Sequence, residues 1–179
     1  LRPRIRSLCE SAHLTATYGA QPIVLGGKLN PNSLDANERK RVLARLKLAV
    51  DEAVELGAKG FAFLSGPDPD EADREKAQEG FEALLIELCQ YAAERDNLPV
   101  VLEVFDRDID KKAFVGPTAF AAEIARNVRQ KCANFGLMVD LSHLPLLDES
   151  AEVSLSAASE FLVHAHAGNC VVRDPSHPA

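Results

Sequence analysis

Two spacings of apolar residues take turns along the chain. Short, nearly continuous runs recur at Gly60–Leu64, Pro99–Phe105, Gly136–Leu141 and Phe161–His166, and they predict strands buried on both faces. Between them, apolar residues return every three or four positions, the spacing of one helix face. Val42, Leu46, Ala49, Val50, Ala53 and Leu56 form one such stripe. A second runs through Ala77, Phe81, Leu84, Leu85, Leu88 and Ala92, and a third through Ala122, Ala125, Val128 and Cys132. Asp35 with Glu38 three residues on resembles a capping box opening the first helix, and Gly57 suits a left-handed cap at its end. Asp68-Pro69-Asp70-Glu71 puts negative charge where the dipole of the second helix favours it, and Gly116-Pro117-Thr118 opens the third. A weaker helical pattern covers roughly residues 152–160. Ile23-Val24-Leu25 before Gly26-Gly27 predicts a short strand, and the first ~20 residues carry no clear period.

Strand and helix alternating in this way predict an α/β fold with a parallel sheet covered by helices. About five βα units are visible, whereas a closed eight-unit barrel takes ~250 residues. The 179 residues form one domain, 1–179. The expected fold is an incomplete (β/α)8 barrel lacking its first and last units, with a small open sheet as the alternative.

Composition narrows the function classes. The chain is 46% hydrophobic and 26% charged, as in ordinary globular domains, and no apolar run approaches the ~18 residues of a membrane span. Its formal charge of −7, without basic tracts, argues against nucleic acid as a partner. Cys9, Cys89, Cys132 and Cys170 are scattered in neither disulfide nor zinc spacing, which predicts reduced thiols and a cytoplasmic location.

The chemistry lies where polar residues interrupt the apolar runs. Glu103, Asp140 and His166 each fall near the C-terminal end of a predicted strand, the end that lines the site in parallel α/β folds. A carboxylate there is costly unless it is paired, protonated or bound to a metal. Glu, Asp and His from three strands make a divalent-metal ligand set with oxygen and imidazole donors. Alternatively, the carboxylates cap loop amides and His166 is a hydrogen-bonded core histidine. His164 lies two residues before His166 on the same face, one layer deeper. His143, three residues after Asp140, could touch a substrate hydroxyl, bind a second metal or cap a loop. Arg107 is close enough to the rim to reach a substrate, although the 106–112 stretch also reads as a solvated loop. Arg173, Asp174 and His177 follow the last strand, where capping explains them equally well.

Leu102-Glu103-Val104, Val139-Asp140-Leu141-Ser142-His143 and His164-Ala165-His166-Ala167-Gly168-Asn169 resemble, in order, the metal-site strands of the xylose isomerase-like TIM barrels. That superfamily includes sugar and sugar-phosphate isomerases and epimerases, inosose dehydratases and apurinic endonucleases. Glu103-Val104-Phe105-Asp106-Arg107 is also similar to the segment after the metal-binding glutamate of ketose 3-epimerases. The resemblance implies one divalent ion, Mn²⁺, Mg²⁺ or Co²⁺ with Zn²⁺ compatible, held by Glu103, Asp140 and His166. A fourth ligand, a glutamate on the eighth strand, has no counterpart before Ala179. It further implies an isomerase or epimerase of a small sugar or sugar phosphate, working through an enediolate or a hydride shift. Glu103 would move the proton, and His143 and Arg107 would contact substrate. A keto-polyol dehydratase and a non-catalytic, sugar-binding or self-assembling barrel are the alternatives. The endonuclease is disfavoured because the strand ending at Ser65 carries no histidine.

Overall fold

The structure, a computed structural model, describes residues 1–170. Helix α1 (Arg2–Ser11) leads into β1 (Tyr18–Gly19) and α2 (Gln21–Gly26). Then follow α3 (Ala36–Glu55), β2 (Phe61–Phe63), a 3₁₀ turn (Glu71–Asp73), α4 (Arg74–Asp96) and β3 (Val100–Glu103). The chain continues through α5 (Thr118–Arg129), β4 (Phe135–Asp140), α6 (Leu144–Leu147), α7 (Ala151–Ala158) and β5 (Leu162–His166). The five strands pair in parallel in sequential order, β1-β2-β3-β4-β5, an arc of a (β/α) barrel as expected.

The two faces of this arc differ. Phe61, Phe63, Val100, Leu102, Phe135, Leu137 and Val139 alternate along their strands toward the helices and are essentially fully buried. They meet the expected stripes of α3, α4 and α5, all buried apart from Leu56 at the end of the first. A run of aromatic contacts crosses this layer from Tyr18 through Phe61, Phe63, Phe81 and Phe114 to Phe120, with successive ring centroids 5.3–6.4 Å apart. The other face carries Gly19, Ala62, Val101, Met138 and His164, which line a cavity of about 310 Å³.

Local signals behave unevenly. Asp35 caps α3 as expected, accepting from the Asn37 amide at 2.8 Å, and Gly57 follows with a left-handed φ of 72°. The capping box does not close: Glu38 accepts the Ser33 hydroxyl rather than the Asp35 amide, which bonds Ser33 instead. Ile23-Val24-Leu25, expected as a strand, is helical in α2. Pro22 favours a helix start there, and only Val24 of the three is buried, so a three-residue apolar run does not distinguish the two periods. The strand that does exist nearby, Tyr18–Gly19, has only two residues and is recognisable only by its pairing with Phe61 and Ala62. No described helix is long and apolar enough to cross a membrane, and the four cysteines are free.

The loops beyond the strand ends are laced together. Asn32 donates to the Pro67 carbonyl at 2.9 Å and accepts from the Gly66 amide at 2.7 Å. Phe114 N–H donates to the Gly66 carbonyl and Val115 N–H to the Ser65 hydroxyl. The charged 106–112 stretch is exposed only in part, because Asp106 is wholly buried and accepts from the amides of Ile109, Asp110 and Lys111 at 2.7–3.0 Å. Burial alone would raise this carboxyl, but those amides and that of Lys112 outweigh it and hold the carboxyl below its usual range. A depressed folded-state value contributes stability that is present at neutral pH and lost as pH falls through that value. Asp106→Ala should therefore cost ~2–3 kcal/mol by removing the charged acceptor that several loop amides share. The stability gap from wild type should narrow on acidification. Denaturant melts of both proteins at neutral pH and below the ordinary carboxylate pKa of ~4 check this.

Candidate metal centre

Glu103, Asp140 and His166 are the last residues of β3, β4 and β5, so the parallel sheet delivers them to one edge. One ligand atom from each lies within 4.8 Å of the others. Asp140 and His166 are register partners, with Oδ2 and Nδ1 3.5 Å apart. Glu103 is buried, Asp140 partly so, and half of the His166 side chain is open to solvent. His143 opens α6 just past β4, and its Nε2 lies 3.4 Å from Glu103 Oε1 and 3.9 Å from Asp140 Oδ2. The Phe105 ring packs on the imidazole with centroids 4.3 Å apart.

Each carboxylate has one oxygen occupied by a neutral donor. Asp140 Oδ1 accepts from the Ser142 amide at 2.8 Å and the Ser142 hydroxyl at 2.7 Å, leaving Oδ2 toward the histidines. Glu103 Oε2 accepts from the Gln21 side-chain amide at 2.7 Å, leaving Oε1 toward His143. For Asp140, burial would raise the carboxyl, but the Ser142 bonds, with His143 and His166 nearby, keep it below its usual range and hence ionised. Among the described residues, no Lys or Arg comes within 4 Å of either carboxylate; only the two histidines do. Two adjacent carboxylates and an imidazole without a compensating cation suit a divalent ion with hard or borderline character.

The remaining expected residues fall at varying distances from this cluster. His164 lies one layer down the inner face, 4.9 Å from the His166 ring, and lines the 310 Å³ cavity with it. Arg107 is held by Asp68 at 2.7 and 3.0 Å, and the same carboxylate also takes Arg74 from the start of α4. Asp68, expected only to open a helix, is thus an ion-pair hub. Arg173, Asp174 and His177 lie outside the described residues. Gln21 and Ser142 were not expected at the centre. A polar residue just past a strand end was the signal for Gln21, hidden because β1 is so short.

His166 reaches the inner face through a one-residue register shift. Leu137 is opposite Leu162, but Met138 is opposite His164, so Val163 is the extra residue. The shift puts Leu162 on the helix side with Leu137, and both histidines on the inner side with Met138 and Asp140. Gly136 makes room for it: a Cβ there would lie 2.5 and 2.6 Å from the two Val163 methyls. Gly136→Ala should cost ~1–3 kcal/mol by overpacking, and adding Val163→Ala should recover most of that loss. Thermal melts of the single and double variants decide it; an additive double variant would mean Val163 is not the obstruction.

The family model described as xylose isomerase-like TIM barrel matches residues 2–177. No curated protein matches the sequence. Among solved structures, D-psicose 3-epimerase with D-tagatose from Clostridium cellulolyticum H10 is similar at TM-score 0.74 and 21% identity, covering 93% of this chain and 57% of its own. The 3-keto-D-glucoside 4-epimerase of E. coli gives TM-score 0.71 and 16% identity over 92% of this chain and 63% of its own. The family 2 AP endonuclease of Brucella melitensis gives TM-score 0.74 and 16% identity, with the same coverages. The chain therefore spans less than two thirds of each of these structures, and at such identities the likeness establishes the fold.

Proposed function

We propose that this chain, which belongs to the xylose isomerase-like TIM barrel family, acts as a divalent-metal-dependent isomerase or epimerase of a small sugar or sugar phosphate. The observation carrying this reading is the convergence of Glu103, Asp140 and His166 with no Lys or Arg beside them. The D-psicose 3-epimerase and 3-keto-D-glucoside 4-epimerase structures share its fold, which supports sugar chemistry. The AP endonuclease structure is equally similar, so fold alone does not choose. The net charge of −7 weighs against a polyanionic substrate.

Glu103, Asp140 and His166 would hold the ion, with Mn²⁺, Mg²⁺ or Co²⁺ favoured by the donor set and Zn²⁺ compatible. When bound, the ion supplies a Lewis acid that acidifies the hydrogen beside a sugar carbonyl and stabilises the charge left behind. Glu103 would take and return that proton; the side chain is buried, and its Oε1 faces His143. His143, steadied by Phe105, would hydrogen-bond a substrate hydroxyl. Asp140 would serve purely as a ligand through Oδ2, its Oδ1 being committed to Ser142. Arg107 would reach an anionic substrate group by exchanging Asp68 for it.

In deuterated water with Mn²⁺, the protein should exchange the hydrogen at the reacting carbon of a ketose or aldose. Glu103→Gln should abolish that exchange, as removal of the proton carrier requires. Conversion without solvent exchange would assign a hydride shift and remove Glu103 as the base. No conversion across sugars, sugar phosphates and keto-inositols with metal bound would favour a binding module. Asp140→Ala should separately eliminate metal uptake while leaving a cooperative melt, because it deletes a ligand at a strand end and no core packing. Metal analysis of the purified variant tests this, and undiminished metal content would reduce Asp140 to a loop cap.

A further inference from the structure

Among the described residues, Glu103 accepts one hydrogen bond, and the donor comes from far away in the chain. Gln21 lies 82 positions earlier, yet its Nε2 is 2.7 Å from Glu103 Oε2. The bond crosses β2, since β1 and β3 are not neighbours in the sheet. Its seat is built into the backbone. Ala20 accepts from the amides of Ile23 and Val24 and so fixes the first turn of α2, from which Gln21 projects. A Cβ at Gly19 would stand 2.9 Å from Gln21 Oε1, so a larger residue there would push the side-chain amide from its present place. Gln21 also lines the inner cavity together with His166.

We infer that Gln21 is a positioning residue that orients the Glu103 carboxylate for metal and proton, an inference that rests on the metal-site reading above. The terminal torsion of a glutamate is broad and nearly two-fold, so nothing in the side chain itself fixes the plane of the carboxylate. The Gln21 bond fixes that plane by holding one oxygen, Oε2, so that the other, Oε1, faces His143. A neutral amide suits this task better than Lys or Arg. It fixes the carboxylate without bringing a positive charge that would compete with a cation for the same ligands. Ser142 does the equivalent for Asp140, so both carboxylates are oriented by uncharged donors.

The test uses the whole chain and Mn²⁺ alone, with binding followed by calorimetry and by the electron paramagnetic resonance of free Mn²⁺. Gln21→Met keeps the length and removes the donor, and Gln21→Asn keeps the amide one methylene short. Each should weaken Mn²⁺ binding ~10–100-fold, the usual effect of losing such a supporting partner. Each should retain its far-UV circular dichroism and a cooperative melt. In the metal-free protein, Gln21→Met and Glu103→Met should change the melting temperature non-additively, as partners in one bond do. Variants binding Mn²⁺ within about twofold of wild type would overturn the role outright. Weakened binding with additive melting temperatures would overturn it too, because Gln21 would then act elsewhere. Wild-type protein that takes up no Mn²⁺ would sink the metal reading itself and Gln21's role with it, a failure distinguished by appearing in the wild type.

Discussion

Two carboxylates held side by side at the edge of a hydrophobic sheet are the constraint around which the site is arranged. Glu103 and Asp140 repel each other, and burial penalises the charge on each. Neutralising them with Lys or Arg would relieve both costs and also block the space between them. The fold instead satisfies one oxygen of each with an uncharged donor, Gln21 or Ser142, and leaves the other facing histidines. This concentrates the unsatisfied charge in one place, between the two carboxylates and the histidines, where the proposed cation would sit.

The rest of the molecule holds this edge in place. The helix-side core, with its chain of aromatic contacts from Tyr18 to Phe120, fixes the strands relative to one another. Above the strand ends, Asn32, Ser65, Asp106 and the Asp68 ion pairs bind successive loops together, so hydrogen bonds tie the rim as well as packing. Buried Asp106 shows how: one carboxylate replaces the partners that three loop amides would otherwise lack. Phe105, between Glu103 and Asp106, is both part of this rim and the surface on which His143 rests.

The inner face is the opposite in character. Small or flexible residues, Gly19, Ala62, Val101 and Met138, leave the 310 Å³ hollow that runs below His164 and His166. Side chains of barrel strands normally fill such an interior in layers. The one-residue shift at Val163 belongs to this face, because it turns both histidines inward while Leu162 stays with the core.

Much of this was legible in the chain alone. Apolar stripes three and four residues apart marked α3, α4 and α5, and the carboxylates closing apolar runs marked Glu103 and Asp140, because burial of a charge is too costly to occur without a partner. The order of those motifs was enough to recognise the family. What the sequence could not disclose were contacts whose partners are far apart and whose local signal is weak. A two-residue strand such as Tyr18–Gly19 exists only through its pairing, so Gln21 could not be placed at the end of it. The segment around Arg107 reads as a solvated loop near the rim, and its partner Asp68 lies 39 positions earlier. The inward aim of His166 depends on a register that β4 imposes on β5, with Gly136 giving way to Val163. Periodicity and buried charge are properties of a segment and survive in the sequence. Register, reach across a strand and the choice of partner are set by neighbouring segments, and only the tertiary structure brings those together.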